Sequence, residues 1–161
     1  MPHLPVLNLP PIAAPRLRQN VQGRAEIFDP LRGRFVTLTP EEWVRQHFTA
    51  FLIGERDFPA ALIGNEVGVS VGGVARRCDT VVYARSGTPL LIVEYKAPHI
   101  SITQSVFTQI QSYNSVLHVP YLIVTNGLTH YCCRVDYSNG KVHFLPEIPR
   151  YPALILPDTS S

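Results

Sequence analysis

The chain has 161 residues, a formal net charge of +2, 45% hydrophobic residues and 16% charged ones. That length suits one domain with a sizeable core, and the composition excludes a disordered or fibrous protein. The weak positive charge carries no argument for nucleic acid by itself, and three cysteines, two of them adjacent, do not read as a disulfide framework.

A reducing, cytoplasmic setting fits that cysteine usage. The N-terminal residues lack the basic, apolar and small-residue order of a signal peptide, and no apolar run approaches bilayer length, so no membrane partner is expected. Residues 1–22 hold Pro2, Pro5, Pro10, Pro11 and Pro15 and read as an extended arm. Residues 23–146 are expected to form the folded domain. Residues 147–161, with Pro149, Pro152 and Pro157, read as a second extended tail.

Within the domain, Ala25–Asp29 and Arg34–Leu38 flank Pro30 and Gly33 and predict a hairpin. Thr39-Pro40-Glu41-Glu42 is an N-cap with a capping-box glutamate, and Trp43, Val44, His47, Phe48, Phe51 and Leu52 recur at helical spacing up to Gly54. A loop or short strand is expected over 58–71, with Gly72-Gly73 as a break. Arg77–Ala84 and Pro89–Ala97 are β-rich and predict an antiparallel hairpin. Ser101 to Gln104 reads as a second capping box before a helix to Leu117. Tyr121–Thr125, then Asn126-Gly127, then Leu128–Val135, then a turn at Ser138–Gly140 and Lys141–Leu145 complete the pattern. The order predicts an α/β fold, a mixed central β-sheet flanked by helices, with the 77–97 hairpin near its middle.

The chemistry sits on that hairpin. With its tightest turn at Ser86-Gly87, Asp79 falls opposite Glu94, and Lys96 points to the same face as Glu94. Two carboxylates side by side on apolar strands destabilise a sheet unless something compensates, and a divalent cation does so. Mg²⁺ is held by one or two carboxylates, with waters and phosphate oxygens completing its octahedron, and a neighbouring lysine can orient the attacking water. Asp79 and Glu94 are therefore candidate metal ligands, and Lys96 a candidate catalytic residue. A Glu-x-Lys pair on a strand is most often a solvated face. Leu90–Val93 ahead of Glu94 argues instead for a partly buried acid.

The stretch CDTVVYARSGTPLLIVEYKAP resembles the D…E-x-K core of the PD-(D/E)xK nuclease superfamily. TPEEWVRQHF, FPAALIGNE, RRCD, VEYKAP, QIQSYN and YLIVTNG together resemble the N-terminal domain of type I restriction-enzyme R subunits, over residues from about 25 to 140. The resemblance implies a restriction-endonuclease-like fold and a DNA endonuclease using Mg²⁺, with Mn²⁺ as a substitute, and Asp79, Glu94 and Lys96 in the metal-binding and catalytic positions. It further implies that Glu66 assists the metal, and that Gln109 and Tyr113 supply the Q-x-x-x-Y element tied to nuclease function. DNA would be the substrate, and other restriction-modification or motor subunits the companions. Cys78 stands where the motif's proline would be, and no phosphate-binding G-x-x-x-x-G-K-[ST] loop is present, so the ATP-driven motor of full R subunits is not expected here.

The rival reading is a catalytically silent nuclease-fold module that binds nucleic acid or a partner protein. Action on branched DNA would use the same chemistry. Arg76 and Arg77 could contact phosphates or form an exposed strand end, and the N-terminal arginines are better read as a solvated flank. His130, Cys132 and Cys133 do not complete a zinc site, because adjacent strand residues point to opposite faces.

Overall fold

The computed structural model describes residues 4–71 and 73–155, leaving aside the side chains at 71, 74, 109 and 112–117. Pro30 and Gly33 close the first hairpin: β2 (Ala25–Asp29) pairs antiparallel with β3 (Arg34–Thr37), and Gly33 takes a φ of 67° that its missing Cβ permits. β1 (Leu17–Gln19) adds to the other edge of β2. The segment expected to be an arm therefore contributes a strand, because Leu17 can face the core beside Ile27.

Helix α1 (Pro40–Glu55) starts as its sequence predicts, with the Thr39 hydroxyl accepting the Glu42 amide at 3.0 Å. The Glu42 carboxylate, however, does not turn back to the cap. It accepts from Arg32 at 2.6 Å and from Gln46 at 3.0 Å. Glu42, Arg45, Gln46 and Thr49 are buried along with the apolar stripe, so α1 is enclosed nearly all round.

The segment expected to be a loop or short strand folds as a 3-10 turn (Ala60–Leu62) and a nine-residue strand, β4 (Ile63–Val71). Its partner β5 (Val74–Tyr83) is longer than predicted, and the two pair out to Val71↔Val74. β6 (Pro89–Tyr95) follows, then α2 (Gln104–Leu117), β7 (Tyr121–Thr125), β8 (His130–Asp136) and β9 (Lys141–Leu145). The six strands form one sheet in the order β4-β5-β6-β7-β8-β9, antiparallel except for the β6–β7 pair, which α2 connects. Thr103, not Ser101, caps α2: its hydroxyl accepts the Val106 amide at 3.3 Å. Both positions carry a hydroxyl, so spacing alone did not separate them.

The large sheet divides the core in two. Val44, Phe48 and Leu52 of α1 pack with Val82, Leu91, Val93, Tyr95 and Ile123 on one face, together with Ile27 and Val36 of the small sheet. Phe107 and Ile110 of α2 pack with Val81, Ile92, Leu122 and Val124 on the other. The C-terminal segment read as an extended tail instead forms a short helix, α3 (Tyr151–Ile155). Tyr151 and Leu154 are buried, and the Tyr151 hydroxyl donates to the Tyr83 carbonyl at 3.0 Å. Among the described residues, no helix is long and apolar enough to cross a membrane.

Candidate active site

The β5–β6 register runs Thr80↔Val93, Val81↔Ile92 and Val82↔Leu91, and shifts by one only beside the turn, at Tyr83↔Pro89. One step beyond Thr80↔Val93 lie Asp79 and Glu94, the expected opposition. The turn differs from the expected Ser86-Gly87: the Ala84 amide donates to the Thr88 carbonyl at 2.9 Å, and the shift at Val82/Tyr83 restores the count. Both acids face the α2 side, with Val81 and Ile92 behind them.

Glu94 is 9% exposed, and burial pushes its carboxyl up to about 8, helped by the negative charge of Asp79 and a hydrogen bond shared with it. The Arg76 guanidinium, 2.6 Å from the Glu94 carboxylate, and the Lys96 ammonium pull the other way. Glu94 thus feels Asp79, Arg76 and Lys96 together. The Asp79 carboxylate also accepts the Tyr95 amide at 2.9 Å.

Glu66 falls across from Asp79 on the neighbouring strand, but among the described residues its carboxylate does not join the acid pair in one cluster. It sits on β4 with a φ of 56°, between Arg45 at 2.6 Å and Arg77 at 2.8 Å. Burial opposes its ionisation, but the two guanidinium groups hold its carboxyl below the usual range. Gln109 and Tyr113 are on α2, and their side chains lie outside the described residues. His130 donates through Nε2 to the Asn8 carbonyl at 3.0 Å and shares a hydrogen bond between Nδ1 and the Thr125 hydroxyl at 2.7 Å, and Cys132 and Cys133 are buried free thiols in different halves of the core.

Among the described residues no group of three or more His, Cys, Asp and Glu side chains converges. The donor set that does converge is two carboxylates. Mg²⁺ needs no more protein than that, since water and phosphate oxygens fill its remaining positions. The raised Glu94 carboxyl marks a place where negative charge is crowded and a cation would relieve it. Asp79 and Glu94 therefore fit a hard divalent ion.

Two residues of the site were missed by sequence reasoning. The sequence offers Arg76 as a phosphate contact or a strand end, and it gives Arg45 no role. The available signal was a second, polar stripe at helical spacing, Glu42, Arg45, Gln46 and Thr49, running beside the apolar one. All four are buried.

The family described as "Type I restriction enzyme R protein N terminus (HSDR_N)" matches residues 40–149. Among solved structures, the chain is similar to a fragment described as an HsdR subunit of a type I restriction enzyme from Vibrio vulnificus YJ016, with a TM-score of 0.52 and 22% identity. The match covers 73% of this chain and 24% of that one, so the chain spans about a quarter of its length. No curated protein matches. At 22% identity the structural likeness speaks for the fold alone, while the family match takes in α1, both acids of the hairpin and the sheet through β9. The chain belongs to the type I restriction enzyme R protein N-terminal family.

Proposed function

We propose that the chain is a Mg²⁺-dependent endonuclease that hydrolyses DNA phosphodiester bonds, with Asp79 and Glu94 holding the ion and Lys96 acting on the nucleophile. The observation that carries this reading is the crowding of Asp79 against Glu94 on an apolar sheet face. Burial and the neighbouring Asp79 charge both disfavour the ionised form of Glu94, and a cation held between the two acids would offset that cost. A bound Mg²⁺ supplies charge neutralisation at a phosphoryl oxygen and lowers the pKa of a water.

The rest is done by the chain. Asp79, fixed by the Tyr95 amide, and Glu94, at the end of a buried strand, present their oxygens in one place. Lys96, two residues after Glu94 and just past the end of β6, brings an ammonium near Glu94, where it would orient the attacking water and offset charge on the phosphoryl group. The water oxygen bonds to phosphorus, one P–O ester bond breaks, and the departing oxygen leaves with a proton. Gln109 and Tyr113 would position the DNA or the catalytic strand, and Glu66 could serve the ion only by leaving Arg45 and Arg77. DNA is the proposed substrate, and restriction-modification or motor subunits the proposed companions.

One observation favours the silent-module reading: Arg76 meets Glu94, and Arg45 and Arg77 meet Glu66, so the chain's own cations neutralise these acids. Supercoiled plasmid incubated with the protein and Mg²⁺ or Mn²⁺ separates the two. The nuclease reading expects cleavage by the wild type and none by Lys96→Ala. Folded wild-type protein that cuts neither DNA nor RNA, and whose melting temperature ignores both ions even with DNA present, would leave the binding module as the function.

A further inference from the structure

β4 and β5 pair from Ile63↔Val82 to Val71↔Val74 with one omission. The omitted pair is Glu66 and Asp79. Asn65↔Thr80 precedes it and Val67↔Cys78 follows, so the register is unchanged while the ladder is open at that one step. Glu66 is turned out by its φ of 56°, a backbone state that a glutamate adopts only under constraint.

The break also reverses the faces of β5. Thr80 and Val82 lie toward α1, with the Thr80 hydroxyl bonded to Asn65 and Tyr95. Cys78 has the same parity along the strand and would share that face in a regular strand, yet it packs in the α2 half of the core. The strand therefore swings at Asp79.

Arg45 occupies the opening. From α1, with its side chain 6% exposed, it donates through Nη1 to the Asp79 carbonyl at 3.0 Å and through Nη2 to the Glu66 carboxylate at 2.6 Å. Its Nε lies 3.4 Å from Glu42, and its guanidinium stands 5.5 Å from the centre of the Tyr95 ring. A single planar fork thus holds both halves of the skipped pair, a task that suits arginine's fixed donor geometry and not lysine's point charge. On the opposite side of the same residue, the Asp79 carboxylate binds the Tyr95 amide beside Glu94.

We propose that Arg45 is the positioning residue of the acid pair: it clamps the skipped Glu66/Asp79 step open and, through the Asp79 carbonyl, fixes the backbone from which the Asp79 carboxylate takes the Tyr95 amide beside Glu94. The functional half of this inference rests on the nuclease reading; the structural half does not. Arg45 itself touches neither substrate nor ion.

The test compares Arg45→Lys and Arg45→Met with the wild type by amide hydrogen exchange, Mn²⁺ calorimetry and steady-state cleavage. The Tyr95 amide is expected to exchange about tenfold faster in Arg45→Met, with the Val81 and Ile92 amides unchanged and Arg45→Lys in between. Mn²⁺ affinity and kcat fall by about the same factor, while KM for DNA holds, because substrate contacts are untouched. Unchanged Tyr95 exchange in both variants overturns the proposal. So does an equal acceleration throughout the sheet, which would mark Arg45 as a general stabiliser. If Arg45→Met does not fold, Arg45→Lys decides alone by the same local comparison. If the wild type neither binds Mn²⁺ nor cuts DNA, the nuclease reading fails, and Tyr95 exchange still decides whether Arg45 sets Asp79.

Discussion

The Asp79 side chain takes the Tyr95 amide at 2.9 Å, standing in for a backbone carbonyl on the neighbouring strand. The acid on which the proposed chemistry depends is thus also a piece of the sheet. From sequence alone, Asp79→Ala looks like a clean probe of catalysis that spares the fold. The structure makes Asp79→Asn the cleaner one. The amide oxygen of asparagine can still accept from Tyr95, whereas alanine leaves a buried N–H unpaired, at about 1–3 kcal/mol. Both variants are expected to lose cleavage, and urea denaturation should find only the alanine variant destabilised by that amount. Equal stabilities would mean that the Tyr95 bond does not hold the chain at this point.

Glu94→Gln should make the protein more stable. Glu94 is buried beside Asp79, and its carboxyl is pushed up because the ionised form is disfavoured there. A neutral isostere relieves that repulsion while still offering Arg76 an oxygen. A gain of about 1–2 kcal/mol at neutral pH is expected, the pattern of a residue kept for function at some cost in stability. The same variant should lose any rise in melting temperature on adding Mg²⁺ or Mn²⁺. A Glu94→Gln protein that melts lower than the wild type, yet still responds to Mn²⁺, would show that the acid pair is neither strained nor the place where the ion binds.

Acid should unfold this protein partly through Asp29, far from the acid pair in sequence and fully buried at the end of β2 in the small sheet. Burial works against its charge, but hydrogen bonds from Arg32, Asn65 and the Leu31 amide win, and its carboxyl lies below the ordinary value of 3.8. A depressed carboxyl contributes stability that is complete above the unfolded value and lost as pH falls toward the folded one. Chemical denaturation between pH 6 and pH 2 should therefore show a loss beginning near about pH 4, at no more than about 1.4 kcal/mol per unit of depression. Asp29→Asn should start about 3 kcal/mol lower, because Arg32 loses a buried counter-charge, and should lose less on acidification. An identical acid slope in the two proteins would remove Asp29 as the cause.

These contrasts also mark what was legible in the sequence. The Asp79–Glu94 opposition was legible because the hydrophobic pattern of the two strands allows little slippage, although the turn is one residue longer than Ser86-Gly87 alone and the shift at Val82/Tyr83 restores the count. Thr39 and Pro40 likewise announced α1. What could not be counted depends on partners far along the chain. Glu42 reads as a capping box until Arg32 arrives from the small sheet. The opening at Glu66 and Asp79 exists because Arg45 reaches it from α1, and no strand pattern encodes a neighbour on another element. Tyr151 becomes helical and buried where Tyr83 and Phe58 receive it, although Pro152 argues for an extended tail.

The N-terminal segment makes the last prediction, because its contacts are specific. The Trp43 indole donates to the Pro5 carbonyl at 2.9 Å, and the Asn8 amide donates to the Gly127 carbonyl at 2.8 Å. Leu7, 8% exposed between them, lies against Gly127, whose φ of 86° favours glycine and whose imagined Cβ would stand 2.8 Å from a Leu7 methyl. Leu7→Ala should cost about 2–3 kcal/mol in lost burial and cavity. Gly127→Ala should cost about 1 kcal/mol for the left-handed backbone and more for the collision. The two penalties should not add. Removing the Leu7 methyls relieves the closest collisions and leaves Val44 Cγ2 at 3.2 Å, so the cost of Gly127→Ala should fall in the Leu7→Ala background, with a coupling on the order of 1 kcal/mol. Strict additivity in that double-mutant cycle would mean that Leu7 does not rest on Gly127, and that the segment ahead of β1 is held by its hydrogen bonds alone.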